Sequence, residues 1–399
     1  MADFNARRVV EALRSGVASR EAGRCLSSAR PRLLRSLDEM LEQAAETRGS
    51  SGMIISGKYG EGKTHLLNTV VSMAGEKNMA VSLVTLSKET PMNKFHLLYQ
   101  KIVQATYLPG RAQPGFASVL SDLTAGRATA ASLSEYALTA LETDKLYYLL
   151  KSYLGCGDEE EKFLLLSDLE GDFITNAALK AAFKRIHNET AAFRIPFVKT
   201  QHSLDYLRFL SRLFLETGCR GWVILFDETE LIGRMGKKAR LNAYANMARF
   251  LNPDRLEAVC SIFAFNSSYI PDVIEAKHEF ANLDEADLPP ETREAVAGVL
   301  NGILAAPQLA PLGQSEILDI LRQILEFHGA AYEWTPAITA EELLAACEKR
   351  GYLLRTKIRA AIELLDQLYQ YGEVRNIHVN ELGRLTFEED LPSLDELLN

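Results

Sequence analysis

Eight consecutive residues, Gly57-Lys58-Tyr59-Gly60-Glu61-Gly62-Lys63-Thr64, fit the pattern G-x-x-x-x-G-K-[ST] in full. The physics follows from the residue types. Glycines at 57, 60 and 62 let the backbone turn tightly and aim its N–H groups at phosphate oxygens, and the N-terminus of a following helix adds partial positive charge. Lys63 is then placed to bridge the β- and γ-phosphates of a bound nucleotide. The hydroxyl of Thr64 suits Mg²⁺, a hard cation that takes oxygen ligands. Glu61 lies inside the loop, and His65, directly after Thr64, reads as a helix residue beside the nucleotide rather than a catalyst.

A second acidic motif lies far downstream. Val223-Ile224-Leu225-Phe226 ends in Asp227-Glu228, two carboxylates at the carboxyl end of an apolar strand, the edge at which open parallel sheets bind ligands. Asp227 is expected to hold the Mg²⁺ shell. Glu228, expected to point the other way along the strand, is the candidate to polarise an attacking water, so hydrolysis is predicted in addition to binding. Glu230 completes Asp-Glu-Thr-Glu and reads either as an assistant or as a solvated helix start. Asn266 ends a third apolar run, Ile262-Phe263-Ala264-Phe265; its amide could orient the water or read the γ-phosphate, or simply form a turn before Ser267-Ser268.

These residues need a framework of strands and helices to bring them together. Gly52 to Ser56 reads as a strand, followed at once by the glycine-rich turn and a helix from about 63 to 76, and Met79 to Leu86 reads as the next strand. That alternation implies a parallel sheet. The runs 221–227 and 258–266 are near-continuously apolar, as central strands covered on both faces are. Residues 1–48 read as an N-terminal helical segment, with Val9, Val10, Leu13 and Val17 on one face and Leu33, Leu34, Leu37 and Leu41 at helical spacing. The span from about 90 to 200 reads as a helical insertion, so the core is expected to run over 49–310. From 311 to 372 only helical periodicity remains, a small lid domain, and 373–399 form an acidic tail. The run Asp158-Glu159-Glu160-Glu161 reads as a solvated loop or first helical turn.

Composition narrows the function classes. The chain has 399 residues, 47% hydrophobic and 24% charged, which fits a globular protein of two or three domains. A net charge of -9 excludes a global basic field for nucleic acid or an anionic membrane. Five cysteines, never spaced Cys-x-x-Cys, fit reduced thiols and a cytoplasmic setting. No apolar run approaches the ~18 residues of a membrane span.

Taken together, the phosphate-loop motif at 57–64, the acidic motif at 223–228, Asn266 as a first sensor and the helical lid after 311 resemble the AAA+ ATPases, nearest to the initiator and origin-recognition branch. More narrowly, Arg7 to Val17, the phrase Ser87-Lys88-Glu89-Thr90-Pro91, and Arg359 to Asp366 look like the ATP-binding proteins of bacterial phage-defence islands of the BREX type. The likeness runs from about residue 5 to 370. It implies ATP and Mg²⁺ held by an α/β core with an α-helical lid, and partners among the other proteins of a defence or DNA-processing complex. It also implies a lid arginine at the γ-phosphate, for which Arg355 is the candidate and Arg359 the second; a planar, permanently charged guanidinium suits the task. Such ATPases commonly assemble as homo-oligomers around an arginine finger that follows the first sensor. Here 270–288 lacks arginine, which leaves Arg293, Arg240, Arg249 and Arg255 as alternatives.

Local charge leaves one further interaction open. Residues 231–255 carry Arg234, Lys237, Lys238, Arg240, Arg249 and Arg255 against one acid, Asp254, and Lys349, Arg350, Arg355, Lys357 and Arg359 form a second cluster. These could follow the phosphate backbone of DNA or could be solvated helix faces. The favoured reading is an ATPase whose turnover changes the angle between core and lid. The alternative is an ATP-dependent assembly switch with little turnover, and a small-molecule kinase is the third class.

Overall fold

The computed structural model describes residues 4–15, 30–111, 113–123, 127–252, 256–348 and 354–373. Val17, Cys25, Asp254, Arg255, Lys349, Arg350 and the acidic tail beyond 373 lie outside the described residues. The chain divides into two compact units. One comprises the described residues of Met1–Ala29, Gly60–His65 and Ala310–Asn399; the other comprises Arg30–Tyr59 and Leu66–Leu309.

The larger unit is built on a sheet of five strands among the described residues: β1 (Ser51–Gly57), β2 (Ala80–Thr85), β3 (Thr106–Tyr107), β4 (Trp222–Asp227) and β5 (Val259–Asn266). Their order is β1-β5-β4-β2-β3, parallel throughout except for β3, which runs antiparallel to β2. On the far side of β1 a single parallel bridge joins Ser56 to Gln308, where the Ser56 carbonyl accepts from Leu309 N–H at 2.7 Å.

The apolar strand sequences follow from burial on both faces. One face carries Ile55, Val81, Val223, Leu225, Cys260, Ile262 and Ala264 against two helices, α2 (Pro31–Thr47), through Leu37 and Leu41, and α3 (Lys63–Glu76), through Leu66, Leu67 and Val70. The other face carries Ile224, Phe226, Phe263 and Phe265, and Phe226 stacks on Phe263 with ring centroids 4.4 Å apart. Full burial of each such ring contributes about 1.5–3 kcal/mol. Gly52 is dictated by a close approach: a Cβ there would lie 2.5 Å from the Phe250 carbonyl oxygen.

Between β2 and β4 the chain is helical, as the sequence predicts, apart from β3. The helices are α4 (Phe95–Gln104), α5 (Ala117–Leu123), α6 (Arg127–Thr139), α7 (Lys145–Gly155), α8 (Glu159–Ser167), α9 (Asn176–His187) and α10 (Lys199–Glu216). The acidic run opens α8: the Asp158 carboxylate accepts Glu161 N–H at 2.8 Å, and three glutamates occupy the first turn, where the helix dipole favours them. The same hydrophobic core extends from the sheet through Tyr99, Leu149, Leu165 and Tyr206. Within it lies a fully buried ion pair, Lys145 Nζ to Asp168 at 2.6 Å. The Ile174 carbonyl accepts from Lys145 at 2.8 Å, Tyr206 donates to Asp168 at 2.6 Å, and the ammonium sits 4.4 Å from the Phe197 ring centre. Burial pushes the Lys145 amine down and the Asp168 carboxyl up, and each partner's charge opposes the other's shift.

After β4 come a 3₁₀ turn (Thr229–Arg234), α11 (Lys237–Leu251), and beyond β5 a turn (Ile270–Glu275), α12 (Glu279–Asp284) and α13 (Pro290–Leu304).

The smaller unit packs α1 (Phe4–Ser15) with α14 (Gln314–Tyr332), α15 (Ala340–Glu348) and α16 (Leu354–Tyr371). Its core joins Val9, Val10 and Leu13 to Ile320, Ile324, Leu343, Leu364 and Leu365. The two helices read as one N-terminal segment therefore serve different cores, α1 this one and α2 the sheet. Arg14 grips Asp366 through two nitrogens, at 2.8 and 2.7 Å, and also donates to the Tyr332 hydroxyl. The Trp334 indole donates to His328 Nδ1 at 2.9 Å, which leaves Nε2 as the nitrogen that donates to Asp366 at 3.1 Å. No helix among the described residues is long and apolar enough to cross a membrane.

Candidate phosphate-binding site at the sheet edge

The glycine-rich segment has the local structure its residue types dictate. β1 ends at Gly57, α3 begins at Lys63, and between them Gly60 and Gly62 take φ of +80° and +90°, in the region that disfavours side chains. Tyr59 is 51% exposed, whereas Lys63 is 9% exposed at the first position of its helix. Thr64 and His65 continue the first turn and are half-buried, as are Glu61 and Gly62.

At the carboxyl edge of the sheet the register brings the other expected residues to neighbouring strand ends. Gly57 pairs with Asn266 across β1 and β5, and Thr85 pairs with Asp227 across β2 and β4. Alternation puts Asp227 after Val223 and Leu225, and Asn266 after Ile262 and Ala264, so both fall on the face that α3 covers from Leu66 onward. Asp227 is 4% exposed, and its backbone carbonyl accepts Leu86 N–H at 3.0 Å. Ser267 N–H donates to the Gly57 carbonyl at 3.2 Å, tying the residue after Asn266 to the last residue of β1.

Glu228 departs from the strand geometry expected of it. Its backbone is left-handed, φ 55° and ψ 35°, and its N–H donates to its neighbour's Asp227 Oδ1 at 2.9 Å. The chain therefore leaves the strand at Asp227, and Glu228 is aimed by this turn instead of by strand alternation. The 3₁₀ turn that follows carries Glu230, whose carboxylate accepts Asn266 N–H at 3.2 Å. The sequence leaves Glu230 open as an assistant or a solvated helix start; the signal for its contact is its spacing of three from Asp227, which one 3₁₀ turn carries back toward the sheet edge. The Asn266 side-chain oxygen accepts Ser268 N–H at 3.1 Å, so the carboxamide keeps its NH₂ as donor.

The phrase Ser87 to Pro91 also forms part of this edge. Ser87 Oγ accepts the N–H groups of Glu89 and Thr90 at 3.1 and 3.2 Å, a local turn directly after β2.

The arginine and lysine candidates have different surroundings. Arg355 is exposed in the first turn of α16, and Arg359, one turn on, has a buried Nε with no hydrogen-bond partner. Arg240 is buried against Glu279, Lys237 pairs with Glu285 at 2.8 Å, and Arg249 lies 5.0 Å from the Phe95 ring centre. Two charges of the 231–255 cluster are thus matched by acids of the 279–285 segment, a pairing invisible in the local charge count. Arg293 donates to the Asp284 and Ala286 carbonyls.

The larger unit thus holds a buried carboxylate, Asp227, and a carboxamide, Asn266, at neighbouring strand ends, and the loop itself holds two glycines at positive φ ahead of a lysine that begins a helix. Comparison with known proteins agrees in kind. The model of one family, described as BREX system ATP-binding protein BrxC/D, matches residues 3–135 and 147–381. No individual curated protein matches the chain. With its glycine loop, strand-end carboxylate and most of its length inside that match, the chain belongs to the BREX system ATP-binding protein family, whose members are ATP-binding components of a phage-defence system.

Proposed function

We propose that the chain binds ATP with Mg²⁺ and hydrolyses it. The observation that carries this reading is the placement of Asp227 and Asn266 at adjoining strand ends, on the sheet face covered by the helix that Lys63 begins. In this reading the amides of the loop, Gly57 and Gly60 to Gly62 with Glu61 among them, hold the phosphates. Lys63 neutralises the β- and γ-oxygens, and His65 lies beside the nucleotide. Thr64 and Asp227 offer hard oxygen ligands that fit Mg²⁺, which would supply charge neutralisation across the phosphates.

Glu228 accepts a proton from, and thereby orients, the attacking water, and the Asn266 NH₂ donates to the water or the terminal phosphate. Arg355 is the proposed lid arginine, with Arg359 as second choice, and turnover is proposed to change the angle between core and lid. The chain is proposed to act in the cytoplasm with other proteins of a BREX-type complex. Light scattering with and without nucleotide tests homo-oligomerisation, and turnover with and without DNA tests the basic clusters.

Glu228→Gln tests the chemistry. A general base contributes about 10²–10⁴-fold, so turnover falls by at least about 10²-fold while ATP binding persists. Unchanged turnover removes Glu228 from the role. Tight binding without turnover in the wild-type chain favours the assembly switch instead.

A further inference from the structure

We infer that Glu230 is a positioning residue for ATP hydrolysis: its carboxylate oxygen, by accepting the backbone N–H of Asn266, locks the turn that aims Glu228 to the end of β5. The inference rests on the ATPase reading above and adds a residue to it. The geometry is a short closed circuit within the larger unit. Glu228 departs from β4 in a left-handed conformation and opens the 3₁₀ turn of Thr229–Arg234. That turn is only six residues long, and Thr229 Oγ1 donates to the Phe226 carbonyl at 3.4 Å, so its start is fixed to β4. Glu230 fixes it on the other side, to β5, through the 3.2 Å bond to Asn266 N–H.

Asn266 is the last residue of β5, and its ladder partner on β1 is Gly57. Its N–H is claimed by Glu230 and its side-chain oxygen by Ser268 N–H, so the side-chain NH₂ remains as the donor of the carboxamide. One carboxylate thus couples the backbone under the proposed base to the backbone of the proposed sensor. A left-handed non-glycine residue is held only where its surroundings over-determine it, and this bond is part of what does so at Glu228.

The role needs reach and an acceptor oxygen, not charge as such. Glu230→Gln keeps an oxygen at the same distance and Glu230→Asp keeps the charge but is one methylene short. Steady-state ATP turnover and equilibrium ATP binding are measured for the full chain and both variants, with thermal melting to confirm folding. The expected result is that Glu230→Asp lowers kcat by about 10- to 10²-fold, the scale on which a ~1 Å misplacement acts, with KM and ATP affinity within about twofold of wild type. Glu230→Gln is expected to retain kcat within about threefold.

Equal loss in both variants shows that the charge acts directly and overturns the inference. So does wild-type turnover in Glu230→Asp. Loss of KM and binding together with kcat assigns Glu230 to general architecture and also overturns it. Absence of turnover in the wild-type chain, in the same assay, is the distinct signature of failure of the ATPase reading itself.

Discussion

Gly57 and Asn266 are ladder partners at the last rung between β1 and β5, and the chain beyond stays joined, with Ser267 N–H donating to the Gly57 carbonyl at 3.2 Å. The glycine at which the phosphate-loop motif begins and the amide expected to sense the phosphate are therefore held in fixed register by backbone bonds, not by side-chain contacts. A parallel ladder buried on both faces is among the last parts of such a unit to open locally.

The buried pair of Lys145 and Asp168 predicts an asymmetric response to substitution. Lys145→Met or Asp168→Leu alone leaves one charge without its partner in the core, at a cost of about 3–5 kcal/mol. Replacing both, as Lys145→Met with Asp168→Leu, recovers most of that loss, because two desolvated ions are exchanged for apolar groups. Denaturant unfolding of the two single variants and the double variant measures the coupling. Additive losses would show that the pair does not act as a unit.

Arg14 and Asp366 predict a dependence on pH in the smaller unit. Burial alone would raise the Asp366 carboxyl, yet hydrogen bonds from His328 and Arg14 outweigh it and hold the group below its ordinary value of 3.8. A carboxyl lowered by folding stabilises above its unfolded value and loses that contribution as pH falls through the folded one. Arg14→Ala should therefore weaken the docking of α1 by about 1 kcal/mol, since the pair is partly exposed and screened. That difference should persist from pH 7 to about 5 and fade only below the ordinary carboxyl value. Unfolding followed by Trp334 fluorescence in a Trp222→Phe background reads it. A difference that vanishes by pH 6 would contradict the assignment.

Much of this arrangement was legible in the sequence, for physical reasons. Strand β4 is apolar from Trp222 to Phe226 and strand β5 from Val259 to Phe265 apart from the buried Ser261, and the glycines at 60 and 62 sit where positive φ is required. The acidic run at 158–161 opens a helix, one of the two readings its charge pattern allows. What could not be read depends on partners remote in sequence or on backbone that breaks its own periodicity. β3 is two residues long at a sheet edge, too short for any alternation to show. Glu228 turns left-handed after the strand, so strand alternation does not govern its direction. Arg240 and Lys237 look like free basic charge until Glu279 and Glu285 fold against them. The docking of α1 onto α14 and α16 joins segments more than three hundred residues apart, which no local pattern announces.

The most direct test of the central claim is equilibrium binding of ATP in the presence of Mg²⁺ to the wild-type chain and to Lys63→Ala, followed by calorimetry. Charge-assisted hydrogen bonds contribute about 1.5–3 kcal/mol, so removing the Lys63 ammonium should weaken binding by about 10- to 10²-fold while the wild-type chain binds one nucleotide. Equal affinity in the two proteins, or no binding by either, would contradict the claim that the glycine loop and Lys63 form the phosphate site.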